Sequence, residues 1–105
     1  MGRSPRDHPK RLALKLRHIR DALDFTQEQM AEHLKQVKPS VRPGHVSELE
    51  RGLREPTLTM LLFYARIAGV PIELLIDDKL DLPTKLPGAS GYELIMKPVR
   101  VRRKN

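Results

Sequence analysis

The sequence contains no cysteine and no tryptophan, and only two phenylalanines and two tyrosines occur among its 105 residues. Without cysteine, neither a disulfide framework nor a thiolate metal site can form. Because aromatic side chains are scarce, aliphatic side chains must fill a core that is modest for a chain of this length. No apolar run approaches membrane-spanning length, and the N-terminus lacks the apolar segment of a signal peptide. We therefore expect a single cytoplasmic domain that does not enter a membrane.

Motifs that would indicate catalysis or metal binding are missing as well. The four histidines share ligand spacing neither with each other nor with acidic clusters (His8, His18, His33 and His45). We find no Gly-rich phosphate loop and no nucleophile motif. We therefore expect that the protein is not an enzyme and has no cofactor and no metal. We interpret His33 as a solvent-exposed residue without a ligand role.

Positive charge is concentrated at the two ends of the chain. The net charge is +7, and residues 1–20 carry seven Lys and Arg against one acid. Residues 97–105 carry five Lys and Arg and no acid, whereas the middle of the chain is acidic on balance. Basic ends on a helical domain suit a polyanion such as a nucleic acid. Charged termini also keep a chain soluble, so this pattern alone leaves both interpretations open.

Two short amphipathic helices in the middle of the sequence organise the rest of the chain. Thr26 is a favourable N-cap for the first helix, and Gln29 follows three residues later, as a capping box requires. The second helix places Val46 and Leu49 on one side and ends at Gly52. Two such helices joined by a connector form a helix-turn-helix, whose second helix is free to enter a DNA major groove.

Five short strings follow each other in a fixed order over roughly residues 12 to 78: Leu16-Arg17-His18-Ile19-Arg20, Thr26-Gln27-Glu28-Gln29-Met30-Ala31, Glu50-Arg51-Gly52, Arg54-Glu55-Pro56-Thr57 and Ala68-Gly69-Val70-Pro71. In this order they resemble the lambda-repressor-like, or Xre/Cro-type, helix-turn-helix family. The resemblance implies a compact all-α domain of five helices that binds double-stranded DNA, usually as a homodimer.

The helical periodicity and the capping residues predict where the five helices lie. The predicted helices are Pro9–Leu23, Gln27 to about Leu34, about 43–51, a fourth between Thr57 and Gly69, and a fifth that opens at Pro71.

The two ends of the chain are expected to lie outside this domain. We expect a basic arm over residues 1–8, the helix-turn-helix domain over 9–78, and a surface linker with a basic tail over 79–105. The composition of residues 92–105 is strand-like, which leaves a disordered tail, a strand across a dimer and a partner-binding segment as alternatives.

The resemblance also assigns roles to individual side chains. An arginine on helix 1 pairs with a glutamate on helix 3 in the family, so we predict a salt bridge between Arg20 and Glu50. The first turns of helix 3 are expected to contact bases, and basic residues around it to contact the DNA backbone. The predicted base contacts are Arg42, Gly44, His45, Ser47 and Glu48, and the resemblance assigns backbone contacts to Arg51 and Arg54. Backbone contacts are also predicted for Gln27, from its place at the start of helix 2, and for Lys35 and Lys38, from their charge beside helix 3.

The connector between helices 2 and 3 is about five residues longer than is usual in the family. Pro39 and Pro43 bracket it and limit its conformations. Lys35, Lys38 and Arg42 place three positive charges beside helix 3. The connector is thus expected to grip the DNA backbone. The alternative is a tolerated surface insertion, because loops lengthen at small entropic cost.

These observations favour a sequence-specific transcriptional regulator, and in particular a repressor that binds its operator as a homodimer. Four of the five residues from Ile72 to Ile76 are aliphatic, which is more apolar surface than one short helix can bury against a small core. Some of these side chains are therefore expected at the dimer interface. The alternative is an antitoxin or adaptor module that binds a partner protein through residues 79–105.

Overall fold

The computed structural model describes residues 9–88, and within this range the chain forms five α-helices and no strand. This confirms the predicted all-α, five-helix architecture. The basic arm over residues 1–8 and the part of the predicted tail beyond residue 88 lie outside the described residues. The helices are α1 (Leu12–Ala22), α2 (Gln27–Leu34), α3 (Pro43–Glu50), α4 (Leu58–Ala68) and α5 (Glu73–Ile76).

Side-chain caps set the boundaries of two helices. Thr26 Oγ1 accepts a hydrogen bond from the Gln29 amide at 3.0 Å, and Gln29 Oε1 accepts one from the Thr26 amide at 2.8 Å. This is the predicted capping box at the start of α2. At α4, Thr57 Oγ1 accepts from the Met60 amide at 3.1 Å, and Gly69 ends the helix with φ of 73°. Gly69 lies in the left-handed region that glycine adopts without strain.

One hydrophobic cluster draws buried side chains from all five helices. Helix α2 packs on α3, while α1 packs on α3, α4 and α5. Ala31 on α2 and Val46 on α3 are almost completely buried, at 1% and 0% exposure. A small side chain at Ala31 lets the two helices of the motif approach closely.

A buried lysine fastens α1 to the end of α5. The side chain of Lys15 is only 4% exposed, and its Nζ donates to the backbone carbonyls of Leu74, Asp77 and Leu80 at 2.7, 3.0 and 2.8 Å. The Leu74 carbonyl lies in α5 and the other two follow it, where the backbone has no further helical turn to donate to them. Desolvation by burial lowers the pKa of Lys15. The sequence analysis missed this residue, since nothing in its local pattern distinguishes it from an exposed lysine.

The contact is reciprocal, because the segment after α5 also caps the start of α1. The Asp78 carboxylate accepts from the backbone amides of Lys10 and Arg11 at 2.8 and 3.0 Å. The Arg11 guanidinium donates to the Asp78 carbonyl at 2.7 Å and pairs with the Asp81 carboxylate. The two backbone amides hold the pKa of Asp78 below its usual value. We call this arrangement, made by residues 10, 11, 15, 78 and 81, the α1–α5 clasp.

The predicted surface linker does not stay on the surface. Leu86 is only 4% exposed and belongs to the core, and Leu82 packs against it. A Cβ atom at Gly88 would overlap the carbonyl oxygen of Ile67, so the chain passes directly against the end of α4. The prediction was wrong because it relied on proline and charge content, which indicates only that a segment is exposed on average. This content does not reveal that Leu82 and Leu86, four residues apart, turn inward.

His33 also differs from its prediction as a solvent-exposed residue. Its ring is half-buried and stacks on Phe25, with 4.6 Å between the ring centroids. Burial lowers the pKa of His33. Its role in the fold is therefore packing, since it joins the last turn of α2 to Phe25, which precedes this helix.

Replacing Tyr64 by phenylalanine is expected to stabilise the protein. Tyr64 is 0% exposed, and its hydroxyl has no hydrogen-bond partner within the described residues. Burial raises the pKa of this hydroxyl. Since a buried, unpaired hydroxyl costs about 1–3 kcal/mol, Tyr64→Phe should raise the free energy of unfolding by about 1 kcal/mol in urea denaturation. A lower stability of Tyr64→Phe would show that the hydroxyl does have a partner.

Candidate nucleic-acid interface

Helix α3 lies on the surface, with one face against the domain and the other outward. Val46, Leu49 and Glu50 are buried against the helices beneath. Pro43 stands at the first position of the helix, where its missing N–H leaves no hydrogen bond unmade. The outward side carries residues that are half or fully exposed: Gly44, Ser47, Glu48 and Arg51.

A buried ion pair fixes α3 to α1. Arg20 Nε donates to Glu50 Oε2 at 2.6 Å, and Arg20 Nη2 donates to Glu50 Oε1 at 3.0 Å. The two side chains are only 12% and 3% exposed. The hydrogen bond to Glu50 raises the pKa of Arg20. Arg20 Nη1 also donates to the carbonyl of Phe25 at 2.7 Å, so the guanidinium is held from two directions.

Gln27 joins the same network from the first turn of α2. Its Nε2 donates to Glu50 Oε1 at 3.1 Å, and the residue is half-buried. The side chain therefore helps to hold the two helices of the motif together. Its expected contact with a DNA phosphate would involve the N–H groups at the start of α2, where the helix dipole favours an anion.

Two arginines after the buried pair are held beside the outward face. Arg51 Nε donates to Ser47 Oγ at 3.2 Å. Arg54 Nε donates to Glu48 Oε1 at 2.7 Å, with side-chain exposures of 46% and 38%. The hydrogen bond from Arg54 holds the pKa of Glu48 below its usual value. Four of the predicted contact residues thus form two hydrogen-bonded pairs at the C-terminal end of α3 and just beyond it.

The N-terminal half of α3 carries the other predicted base contacts. The Arg42 amide donates to His45 Nδ1 at 3.3 Å, so the imidazole caps the start of the helix. The side chain of Arg42 is exposed. A Cβ atom at Gly44 would meet no atom within 4 Å, so the backbone is open to an approaching molecule at this position.

The long connector is anchored to the core rather than added to the surface. Val41 is 1% exposed, and Val37 packs against the same cluster. Lys35 is exposed and pairs with Glu32 at 2.8 Å, whereas Lys38 is half-buried. The spacing of four residues between the two valines is the sequence signal for this anchor, and the analysis of prolines and charges overlooked it.

Within residues 9–88, no group of three or more His, Asp and Glu side chains could hold a metal ion. No helix of this part of the chain is both long and apolar enough to cross a membrane.

A family model described as helix-turn-helix matches residues 16–75, which is more than half of the chain. This range begins within α1 and ends within α5, so it includes residues of all five helices. Searches of curated proteins and of solved structures gave no match.

Proposed function

The chain belongs to the lambda-repressor-like, or Xre-type, helix-turn-helix family of DNA-binding domains, and on this premise we propose that it is a sequence-specific transcriptional repressor that inserts α3 into the major groove of double-stranded DNA. The observation that carries the proposal is the position of α3. Its buried side is fixed by the Arg20–Glu50 pair, and its opposite side carries polar residues outward.

Affinity and specificity would come from different side chains. Lys35, Lys38, Arg51 and Arg54 neutralise phosphates, and Gln27 adds a contact at the start of α2. Base edges are read from the exposed side of α3. Each well-aligned hydrogen-bonded pair of side chain and base contributes about 1–3 kcal/mol of discrimination against the wrong base. The residues proposed for base contact are Arg42, Gly44, His45, Ser47 and Glu48.

We propose that the protein acts as a homodimer and represses by occupying an operator that polymerase also needs. Its operator is then an inverted repeat with half-sites about one helical turn apart. The end of α5 supports a role at the interface, because Ile76 and Leu80 remain 42% and 38% exposed there. No enzymatic step and no cofactor are part of this proposal.

Selection of bound DNA from a random pool tests the proposal and reports site length and symmetry together. A recovered site should then be titrated with salt. Neutralising Lys35 should reduce the slope of log K against log salt by about one, because one phosphate contact is lost. Lys85→Ala is the control, since this exposed residue follows α5 and is not among the proposed contacts. Affinity that is the same at low and moderate salt would contradict binding through phosphates.

The alternative is an antitoxin or adaptor that binds a partner through residues 79–105, but part of this range already contacts the domain. Asp81 and Leu86 are engaged by the domain itself, in the α1–α5 clasp and in the core. A partner would therefore have to bind mainly beyond residue 88. A stoichiometric partner that is lost when residues 89–105 are removed would favour this alternative.

Gly44→Ala should change stability and DNA binding in opposite directions. Alanine stabilises a helix by about 0.5–1 kcal/mol relative to glycine, and the added methyl group meets no protein atom. If the backbone of α3 approaches DNA at Gly44, the same methyl group should weaken binding to the selected site. The measurements are urea denaturation and a gel-shift titration. An unchanged affinity would place Gly44 away from the DNA.

A further inference from the structure

The hydrogen bond that caps α3 determines which tautomer His45 adopts. His45 Nδ1 accepts from the Arg42 amide at 3.3 Å. A ring nitrogen that accepts a hydrogen bond carries no proton, so the neutral imidazole must carry its proton on Nε2. The fold therefore presents His45 as a hydrogen-bond donor through Nε2, and the ring is partly exposed.

Glu48 presents the opposite chemistry one turn further along the helix. Its Oε1 atom accepts from Arg54 Nε at 2.7 Å, which orients the carboxylate at the surface. An ionised carboxylate is an acceptor only. Its second oxygen, Oε2, takes no part in this bond with Arg54 and can accept from a ligand.

His45 and Glu48 are three residues apart in α3, so they lie on the same side of the helix. Resting on the proposed function, we infer that these two residues form a fixed donor–acceptor pair that reads a G·C base pair in the major groove. His45 Nε2 donates to N7 or O6 of guanine, and Glu48 accepts from the N4 amino group of cytosine. Arg54 acts on specificity indirectly, as the residue that positions Glu48.

The tautomer is tested first, on the full-length protein without DNA. Two-bond ¹H–¹⁵N correlation spectra of the imidazoles should show a protonated Nε2 and an unprotonated Nδ1 for His45. The opposite tautomer would overturn the inference, and the proposed function would not be affected by that result.

Specificity is then measured by repeating the selection of DNA with variants. His45→Glu and His45→Gln are a matched pair, because an oxygen of either side chain can accept from the Arg42 amide, as Gln29 does at the start of α2. Only glutamine keeps a donor. We expect His45→Glu to lose about tenfold to a hundredfold of the preference for guanine at one position, and His45→Gln to retain a larger share. Equal preference for guanine in both variants and the wild type would overturn the role of His45.

The acceptor is tested by Glu48→Ala, with Arg54→Ala as its comparison. Loss of Glu48 should relax selection at the cytosine and leave other positions unchanged. Loss of Arg54 should reduce affinity for all sequences, and it should relax selection at the cytosine less than Glu48→Ala does. Replacing this cytosine by N4-methylcytosine should weaken wild-type binding and have little effect on Glu48→Ala.

The outcomes separate the two proposals. If wild-type protein selects a site but neither His45→Glu nor Glu48→Ala alters its base preferences, the donor–acceptor pair is wrong and DNA recognition stands. If wild-type protein selects no site at all, the proposed function itself is wrong.

Discussion

Replacing Glu50 by alanine is expected to lower the free energy of unfolding by about 3–5 kcal/mol, the usual cost of breaking a buried ion pair by removing one partner. The Glu50 side chain is 3% exposed, and it accepts hydrogen bonds from Arg20 and Gln27. Without it, the buried Arg20 guanidinium keeps only one charged partner among the described residues, the exposed Asp21 carboxylate at 3.6 Å from Nη2. Since small domains are stable by only about 5–15 kcal/mol, this loss threatens the folded state.

The design that isolates the pair is a double-mutant cycle measured by urea denaturation. Glu50→Ala, Arg20→Ala and the double variant should show strongly non-additive losses, because the double variant leaves no buried charge without a partner. Gln27→Ala is a useful comparison, since it removes one hydrogen bond to Glu50 and leaves the ion pair. Additive losses for Arg20→Ala and Glu50→Ala would show that the two charges contribute independently.

Several features of this fold could be predicted because each depends on a short stretch of sequence. The capping box at Thr26 and Gln29 requires only residues three apart, and both of its hydrogen bonds are present. Helix α3 begins at Pro43, the residue expected to open it. The contact between Arg20 and Glu50 is an exception, because it spans thirty positions. It was predicted only because the resemblance to a family supplied the pairing.

Other features depend on contacts between distant parts of the chain and leave no local signal. Lys15 donates to carbonyls about sixty residues away, and any lysine on an amphipathic helix has the same appearance in sequence. The orientation of His45 is a local feature, because the Arg42 amide that donates to it is three residues away, but residue type alone does not give its tautomer. The sequence therefore indicated which helix faces outward, and the structure added the hydrogen bonds that its side chains already make.

Ending the chain at Asp77 should destabilise the domain severely relative to ending it at Gly88. Both variants lack residues 89–105, so their difference measures only the contribution of residues 78–88. The shorter chain loses Leu86 from the core, which alone costs about 2–5 kcal/mol by comparison with truncations of buried leucines. It also loses the Asp78 carboxylate that caps α1 and the Leu80 carbonyl that accepts from Lys15.

We therefore expect the midpoint of thermal unfolding to fall sharply, or cooperative unfolding to disappear, only in the chain that ends at Asp77. Leu86→Ala in the full-length protein is the matched point variant and should reproduce a large part of the loss. The consequence for function is practical, because a deletion that begins at Asp78 cannot test a partner-binding tail without also damaging the helix-turn-helix. Equal stability of the two shortened chains would show that Leu86 and the contacts of the α1–α5 clasp made by residues 78–81 contribute nothing, and the domain would then end at α5.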